Sequence, residues 1–204
     1  MYTPDIYKNE NQEEIKKFLN DHGFGILINQ TSGKLWATHI PLLLQTRLDG
    51  KTILEGHISK ENLQWEGFKE SDQVLAVFAG PHSYISSSWY DHENVPTWNY
   101  IAVHVYGKIK IIEGDAVIQS LKNLTNKYEM KSENPIRIEN LSETTMTQSR
   151  GVVAFEIEIT EIQATRKMSQ NRDAKNYNTI ISELEKTKLP EAIATAAEMK
   201  KCPM

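Results

Sequence analysis

The sequence predicts an α+β fold that is mainly β, a barrel of strands with helices outside it. About six short apolar runs with strand character recur along the 204 residues, and turn signals join most of them as hairpins. A few amphipathic helical segments lie outside these runs. The chain is long enough for a single domain with a sizeable core. Periodicity by itself does not separate a barrel from a sandwich.

The N-terminal half contributes one predicted helix and four predicted strands. Residues 11–22 have the apolar spacing of a helix, and Gly23 offers a C-terminal stop. Turn residues at 31–33 and at 49–50 mark two hairpins. The unbroken apolar run 74–78 predicts a strand buried on both faces. The predicted strands are 24–30, 34–44, 52–58 and 73–78.

The C-terminal half mixes strands, helices and one long predicted loop. Residues 80–96 are rich in serine, asparagine, histidine and aromatic residues, which predicts a loop. Alternation predicts strands at 100–112 and 152–162, and apolar spacing predicts a helix at 115–129. One or two helices follow from about Asp173, separated near Pro190. We therefore assign 1–172 to the barrel with its peripheral helices and 173–204 to a C-terminal helical extension.

The composition argues against several classes of protein. A formal net charge of −4 argues against a surface that holds DNA by phosphate neutralisation alone. The single cysteine, Cys202, cannot form an internal disulfide, so we expect an idle thiol in a reducing compartment. The polar N-terminus lacks a signal pattern, and no apolar run reaches the length of a membrane span. We expect a cytoplasmic protein that does not bind membranes.

Two strand segments carry polar residues that suit a ligand. Thr38 and His39 interrupt an apolar strand, so they either face water or line a cleft. His57 lies near the end of another strand, and Ser59 and Lys60 follow at what resembles the start of a helix. A hydroxyl, an ammonium group and free backbone N–H groups suit phosphate there. A plain helix cap and a solvated lysine are the equally common structural explanation.

Two further segments combine aromatic or cationic side chains. Segment 80–100 is dense in aromatic residues, among them Trp98 and Tyr100, which suit stacking on a flat ring or a subunit interface. They equally suit folding onto the end of the barrel. Segment 166–172, which contains Gln170 and Arg172, suits phosphate, the edge of a flavin or nucleic acid. A solvated charged turn is the default explanation of that segment.

The sequence predicts no metal site and identifies no catalytic residue. The histidines fall on different predicted elements without metal-ligand spacing, and a lone cysteine adds little thiolate support. Haem held by one histidine stays open. Spacing assigns neither a Ser-His-acid triad nor a glycine-rich nucleotide loop.

Several stretches of the chain match one family: 1–4, 37–42, 56–62, 77–82, 84–86, 89–90, 95–100 with 104 and 106–107, and 169–172. They resemble the FMN-binding negative transcriptional regulators of the PaiB type, a bacterial family associated with repression of protease production and sporulation. The resemblance implies a split β-barrel similar to pyridoxamine-phosphate oxidases, with FMN at a homodimer interface. Family members often have arginine at the position of Lys60. Lysine lacks the planar guanidinium group that binds phosphate through two hydrogen bonds.

The resemblance implies FMN, more than haem, as the cofactor. We expect its phosphate near Ser59 and Lys60 and its ring against the strand of Thr38 and His39, beside an aromatic residue of the partner subunit. The residues expected to bind the cofactor are Thr38, His39, His57, Ser59, Lys60, Trp98, Tyr100, Gln170 and Arg172.

Negative transcriptional regulation is the function that the resemblance implies. An FMN-dependent oxidoreductase with an indirect regulatory effect, and a haem-binding or cofactor-free dimer, are the alternatives, so enzymatic activity stays open. Direct DNA binding finds no support in the charge or in a helix-turn-helix pattern. We expect a homodimer, because segment 80–100 has too many aromatic residues for an exposed loop. Its interface is expected to include or adjoin Tyr84, Trp89, Trp98 and Tyr100.

Overall fold

The computed structural model describes residues 1–70 and 72–201, without the side chains of Lys69 and Glu70. Cys202 lies outside these residues. The described strands are β1 (Phe24–Thr31), β2 (Lys34–Pro41), β3 (Leu43–Thr46), β4 (Thr52–Ser59), β5 (Gln73–Ile85), β6 (Thr97–Ile112) and β7 (Val152–Lys167). They form one sheet of order β2-β1-β5-β6-β7-β4-β3. The β1–β2, β1–β5, β3–β4 and β4–β7 pairs are antiparallel.

The described helices confirm the α+β class that the sequence predicts. They are α1 (Gln12–Asp21), α2 (Gly67–Glu70), α3 (Asp115–Glu129), α4 (Glu143–Met146), α5 (Ala174–Lys186) and α6 (Pro190–Lys200). Pro190 opens α6, where its missing N–H costs no intrahelical hydrogen bond. Within residues 1–70 and 72–201, no helix is both long and apolar enough to cross a membrane.

Strand β5 is longer than the sequence predicts. Residues 80–85, which we expected in a loop, continue the strand to Ile85. A Cβ atom on Gly80 would lie 2.6 Å from the ring of Phe18, so close packing explains this glycine without a turn. Burial is also more one-sided than expected, because Val74, Ala76 and Phe78 are buried while the residues between them are half-buried.

The predicted strand at 34–44 is in fact two strands. Leu42 separates β2 from β3, is fully buried, and donates its backbone N–H to the carbonyl oxygen of Gly23 at 2.7 Å. The sequence pattern does not show this break between strands, because Leu42 is apolar like the strand residues around it and its backbone N–H is hydrogen-bonded. The chain therefore forms seven strands within its described residues, against the roughly six that the sequence predicts.

The described chain divides into two compact units. Unit I comprises residues 1–18, 79–103 and the chain from 163 onward, and unit II comprises 19–78 and 104–162. In unit I, α5 and α6 contribute to a core with the end of β5 and the start of β6. That core contains Ile85, Tyr90, Ile101, Met168, Tyr177, Ile180, Ile181, Leu184, Ala192, Ala196 and Met199. The domain boundary at residue 172 stays a prediction.

Unit II contains both N-terminal hairpins, α3 and most of the long strands. The inward positions of its strands are almost fully buried, among them Leu27, Leu54, Phe78, Val105, Phe155 and Ile157. This alternation of buried and exposed positions leaves the other face of β1 and β2 open.

Candidate cofactor site

The β4–β7 ladder of unit II ends beside two cations. Ser59 and Val152 form its last pair, and the backbone N–H of Lys60 donates to the carbonyl oxygen of Gly151 at 2.9 Å. This hydrogen bond places Lys60 next to Arg150, about ninety positions away in sequence. The ladder thus brings together two charges that the sequence pattern does not connect.

Both cations line a cavity in unit II of about 430 Å³, a volume within the range of small-molecule sites. Its lining combines Lys60 and Arg150 with one acid, an indole and an apolar wall. The other lining residues are Trp65, Ile111, Ile112, Glu113, Gly114, Val117, Ser149, Val152, Val153 and Ala154. Among residues 1–70 and 72–201, no ion pair or side-chain hydrogen bond engages the ammonium group of Lys60 or the guanidinium of Arg150.

A turn, not a helix, follows Ser59. The hydroxyl of Ser59 accepts from the backbone N–H of Glu61 at 3.2 Å, and Asn62 caps a short 3₁₀ turn that begins at Leu63. The indole N–H of Trp65 donates to the carbonyl oxygen of Lys60 at 3.0 Å. The expected helix start at Ser59 is therefore wrong, because the serine and Asn62 satisfy local N–H groups as turn residues. The lysine ammonium group remains as the group available to an anion.

Thr38 takes part in a polar network below this turn. Its hydroxyl donates to the side-chain oxygen of Gln64 and accepts from the amide of Asn62 at 2.9 Å. Gln64 is fully buried and also donates to Leu27 and Asn29, at 3.0 and 2.8 Å. The hydroxyl therefore holds the turn against β2, and its expected contact with a cofactor stays a prediction.

His39 lies on the opposite, outward face of β2. It is exposed and its ring stacks against that of Phe24 with 6.3 Å between centroids. The register puts His39 opposite Ile26, which in turn lies opposite Val77 on β5. We call this three-strand surface the outer face; it comprises Phe24, Ile26, Ile28, Leu35, Ala37, His39, Leu75 and Val77. Its members are half-buried or exposed, so it offers a flat apolar wall.

His57 adds an unpartnered polar atom near the cavity. It pairs across the ladder with Ala154, which lines the cavity. Its Nδ1 atom is buried without a hydrogen-bond partner among the described residues. Burial lowers the pKa of His57 below its ordinary value, so the ring is neutral near neutral pH. A neutral imidazole offers one donor and one acceptor to a polar ligand.

The half-buried ring of His57 predicts a loss of stability in mild acid. As the pH falls below about 6.5, the unfolded chain takes up a proton at this ring while the folded chain, whose His57 pKa is lowered, does not. Above that pH the ring is neutral in both states and the effect vanishes. Urea unfolding at about pH 7.5 and about pH 5.5 should show a smaller loss in His57→Gln than in the wild type.

The exposed histidine His39 provides the matched control for this prediction. His39→Gln should lose as much stability between the two pH values as the wild type does. Equal losses in the wild type and in His57→Gln would show that burial of this ring does not cause the acid sensitivity.

The other expected site residues lie in unit I. Trp98 is 53% exposed, and its ring meets that of Tyr84 edge to face at 6.1 Å. Tyr100 is half-buried on the same strand. The guanidinium of Arg172 lies 5.0 Å from the centre of the Tyr90 ring. The side-chain amide of Gln170 binds the carbonyl oxygens of Ile6 and Arg166 and the N–H of Met168, so it organises its own loop.

The cationic segment 166–172 is largely engaged within unit I. Arg166 forms ion pairs with Glu14 and Glu198 and also donates to the carbonyl oxygen of Glu198. Lys167 donates to the hydroxyl of Thr97 at 2.5 Å. Arg172 differs from these two residues, because its buried Nε has no hydrogen-bond partner among the described residues, so it remains the alternative cation for an anion. Among the described residues, no group of three or more His, Cys, Asp or Glu side chains could hold a metal ion.

The sequence pattern missed Arg150, Trp65 and Gln64. Arg150 precedes a predicted strand, but only the pairing of that strand with β4 shows that it lies beside Lys60. Gln64 and Trp65 follow the polar segment 56–62, whose density of polar residues could have directed attention to them. Their roles depend on contacts between distant elements, which local patterns do not report.

Comparisons with known proteins identify a matching family and a similar protein. A family model described as "Putative FMN-binding domain" matches residues 1–161. The Protease synthase and sporulation protein PAI 2 of Bacillus subtilis (strain 168) is 41% identical over 193 residues, which cover 94% of this chain and 93% of that protein.

Two solved structures have a similar fold. The FAD and Heme binding protein from Mycobacterium smegmatis aligns with a TM-score of 0.63 at 16% identity, covering 84% of this chain and 78% of that one. The Flavocytochrome Anf3 from Azotobacter vinelandii aligns with a TM-score of 0.64 at 15% identity, covering 85% and 75%. These likenesses confirm the predicted α+β split-barrel class.

Proposed function

Because the chain belongs to the FMN-binding family that includes the PAI 2 protein of Bacillus subtilis, we propose that it is a cytoplasmic, FMN-binding negative regulator of transcription. The observation that carries the FMN assignment is the end of β4, where Lys60 lines a cavity with its ammonium group unengaged among the described residues. The name of the Bacillus relative, which refers to protease synthase and sporulation, supports the regulatory part.

The residues at this end of β4 fit the polar part of FMN. A phosphate dianion needs a cation and hydrogen-bond donors, and Lys60 supplies up to three N–H groups. His57, whose buried Nδ1 lacks a partner among the described residues, offers a polar group beside the cavity wall. When bound, FMN supplies redox chemistry. The role of the protein is to bind the cofactor, to orient it and to limit its access to water.

The outer face fits the other half of the proposed site. An isoalloxazine ring needs a flat and mostly apolar wall with a few polar groups for its edge. Ala37 and His39, exposed on β2, supply such a wall, and a second copy of the chain would cover it. Trp98, more than half exposed, is the aromatic residue we assign to the partner side of the ring. We therefore propose a homodimer in which each site uses residues of both subunits.

The FMN assignment predicts a weaker complex when Lys60 is removed. Losing one charge-assisted hydrogen bond typically costs about 1.5–3 kcal/mol, so Lys60→Ala should weaken FMN binding roughly tenfold to a hundredfold. Quenching of FMN fluorescence during titration of the apo protein measures the affinity. Arg172→Ala, which removes a cation of the alternative cluster in unit I, is the matched variant and should bind FMN like the wild type.

The opposite result would overturn this location of the phosphate: unchanged FMN affinity in Lys60→Ala together with a large loss of affinity in Arg172→Ala.

The regulatory part of the proposal has its own test. The wild-type chain should restore normal protease production to a Bacillus subtilis strain that lacks PAI 2, and Lys60→Ala should restore it less well. If the wild-type chain binds FMN but does not restore protease production, this result would contradict regulation while leaving the cofactor assignment in place.

A further inference from the structure

The cavity of unit II contains a second cation that the proposed FMN contacts do not use. Arg150 and Lys60 both line it, and the hydrogen bond from Lys60 N–H to Gly151 fixes their backbones side by side at the end of the β4–β7 ladder. Both side chains are exposed and line the same cavity. The cavity therefore offers two cations to one ligand with a concentrated negative charge.

The two cations differ in what they can contribute. The ammonium group of Lys60 is a compact point charge, whereas the guanidinium of Arg150 is a planar fork that binds two oxygens of one phosphate. Arg150 is exposed, and no ion pair involves it in the part of the chain that the structure describes. Together they provide a bidentate donor and a mobile charge for the same anion.

The rest of the lining restricts the kind of anion. Ile112, Val117 and the indole of Trp65 form an apolar and aromatic wall, which suits an organic body more than a bare inorganic ion. Glu113 adds a carboxylate to the lining, and that charge repels a second anionic group on the ligand. A single terminal phosphate on an otherwise uncharged organic molecule matches this set of groups.

We propose that this cavity binds the terminal phosphate of an organic phosphomonoester, with Arg150 gripping two of its oxygens and Lys60 a third. Where the ligand is FMN, the inference rests on the proposed function and adds Arg150 to the site. A chain with lysine at position 60 would then bind phosphate through the planar guanidinium of Arg150, which lies in the turn that precedes β7.

The test compares ligands with and without the phosphate. Apo protein is titrated by calorimetry with FMN, with riboflavin and with 1-naphthyl phosphate. Arg150→Ala should weaken FMN and 1-naphthyl phosphate roughly tenfold to a hundredfold while leaving riboflavin unchanged. Arg150→Lys should lie between Arg150→Ala and the wild type. Lys34→Ala removes an exposed cation of the same unit outside the cavity, so it controls for the change in net charge.

The outcomes separate this inference from the proposed function. Normal FMN affinity in Arg150→Ala would overturn the role of Arg150 and leave FMN binding intact. Absence of FMN binding in the wild type would contradict the proposed cofactor; Arg150-dependent binding of 1-naphthyl phosphate would then still support a phosphomonoester site. An equal loss of FMN and riboflavin in Arg150→Ala would show a structural role and overturn the inference.

Discussion

Replacing Gln64 with leucine should lower the free energy of unfolding by about 3 kcal/mol, the largest single-residue loss that we expect in unit II outside the apolar core. Gln64 is fully buried and bonds Leu27, Asn29 and Thr38 at once. Leucine has a similar volume, so the change removes hydrogen bonds without opening a large cavity. The buried partners then lose a donor or an acceptor, at a cost of roughly 1–3 kcal/mol for each unpaired group.

Gln148→Leu is the matched control, because Gln148 is exposed in the same unit. It should change stability by no more than about 0.5 kcal/mol. Urea unfolding followed by circular dichroism compares the two variants with the wild type. Similar small losses in both variants would show that the network around Gln64 does not hold the turn against β2.

A charge on the outer face should separate the proposed dimer. Phe24 and Leu35 are 64% and 73% exposed on adjacent strands, so a second subunit would bury both. In a two-fold symmetric interface one substitution acts on both sides, and burying an unpaired carboxylate costs several kcal/mol. Phe24→Asp combined with Leu35→Asp should therefore weaken association at least about a hundredfold. Light scattering should then give the chain mass of 23.4 kDa, against twice that mass for the wild type.

Leu48→Asp controls for charge and lost apolar surface, since Leu48 is fully exposed beyond the end of β3. This variant should remain a dimer. A monomeric wild type at micromolar concentration would contradict the proposal outright. If the outer-face variant stays dimeric while Trp98→Asp dissociates, the interface lies at the aromatic pair of Tyr84 and Trp98.

Local patterns predicted the elements whose periodicity is unbroken. Helix α3 has the predicted bounds, and β1 and β4 each differ from their predicted bounds by one residue. The pattern failed where a residue type has two uses. The sequence predicts a loop from Gly80 onward, but Gly80 serves close packing against Phe18 within a continuing strand. No periodicity could show this, because the reason lies on another element.

The candidate site was predictable only in part, for the same physical reason. The residue types at 57–60 indicate phosphate binding by themselves, and the structure brings Lys60 to a cavity there. Arg150 becomes its neighbour only through the pairing of β4 with β7, a non-local contact that the sequence does not encode in any short window. Thr38 and Gln170 use their side-chain polar groups for hydrogen bonds within the fold. Their expected contacts with a cofactor stay predictions.

The hydrogen bond that joins Lys60 to Gly151 also bears on how such chains diverge. Because it holds positions 60 and 150 side by side, a guanidinium at this end of the ladder can come from either position. We therefore expect relatives with arginine at the position of Lys60 to tolerate other residues at the position of Arg150, and relatives with lysine there to retain the arginine.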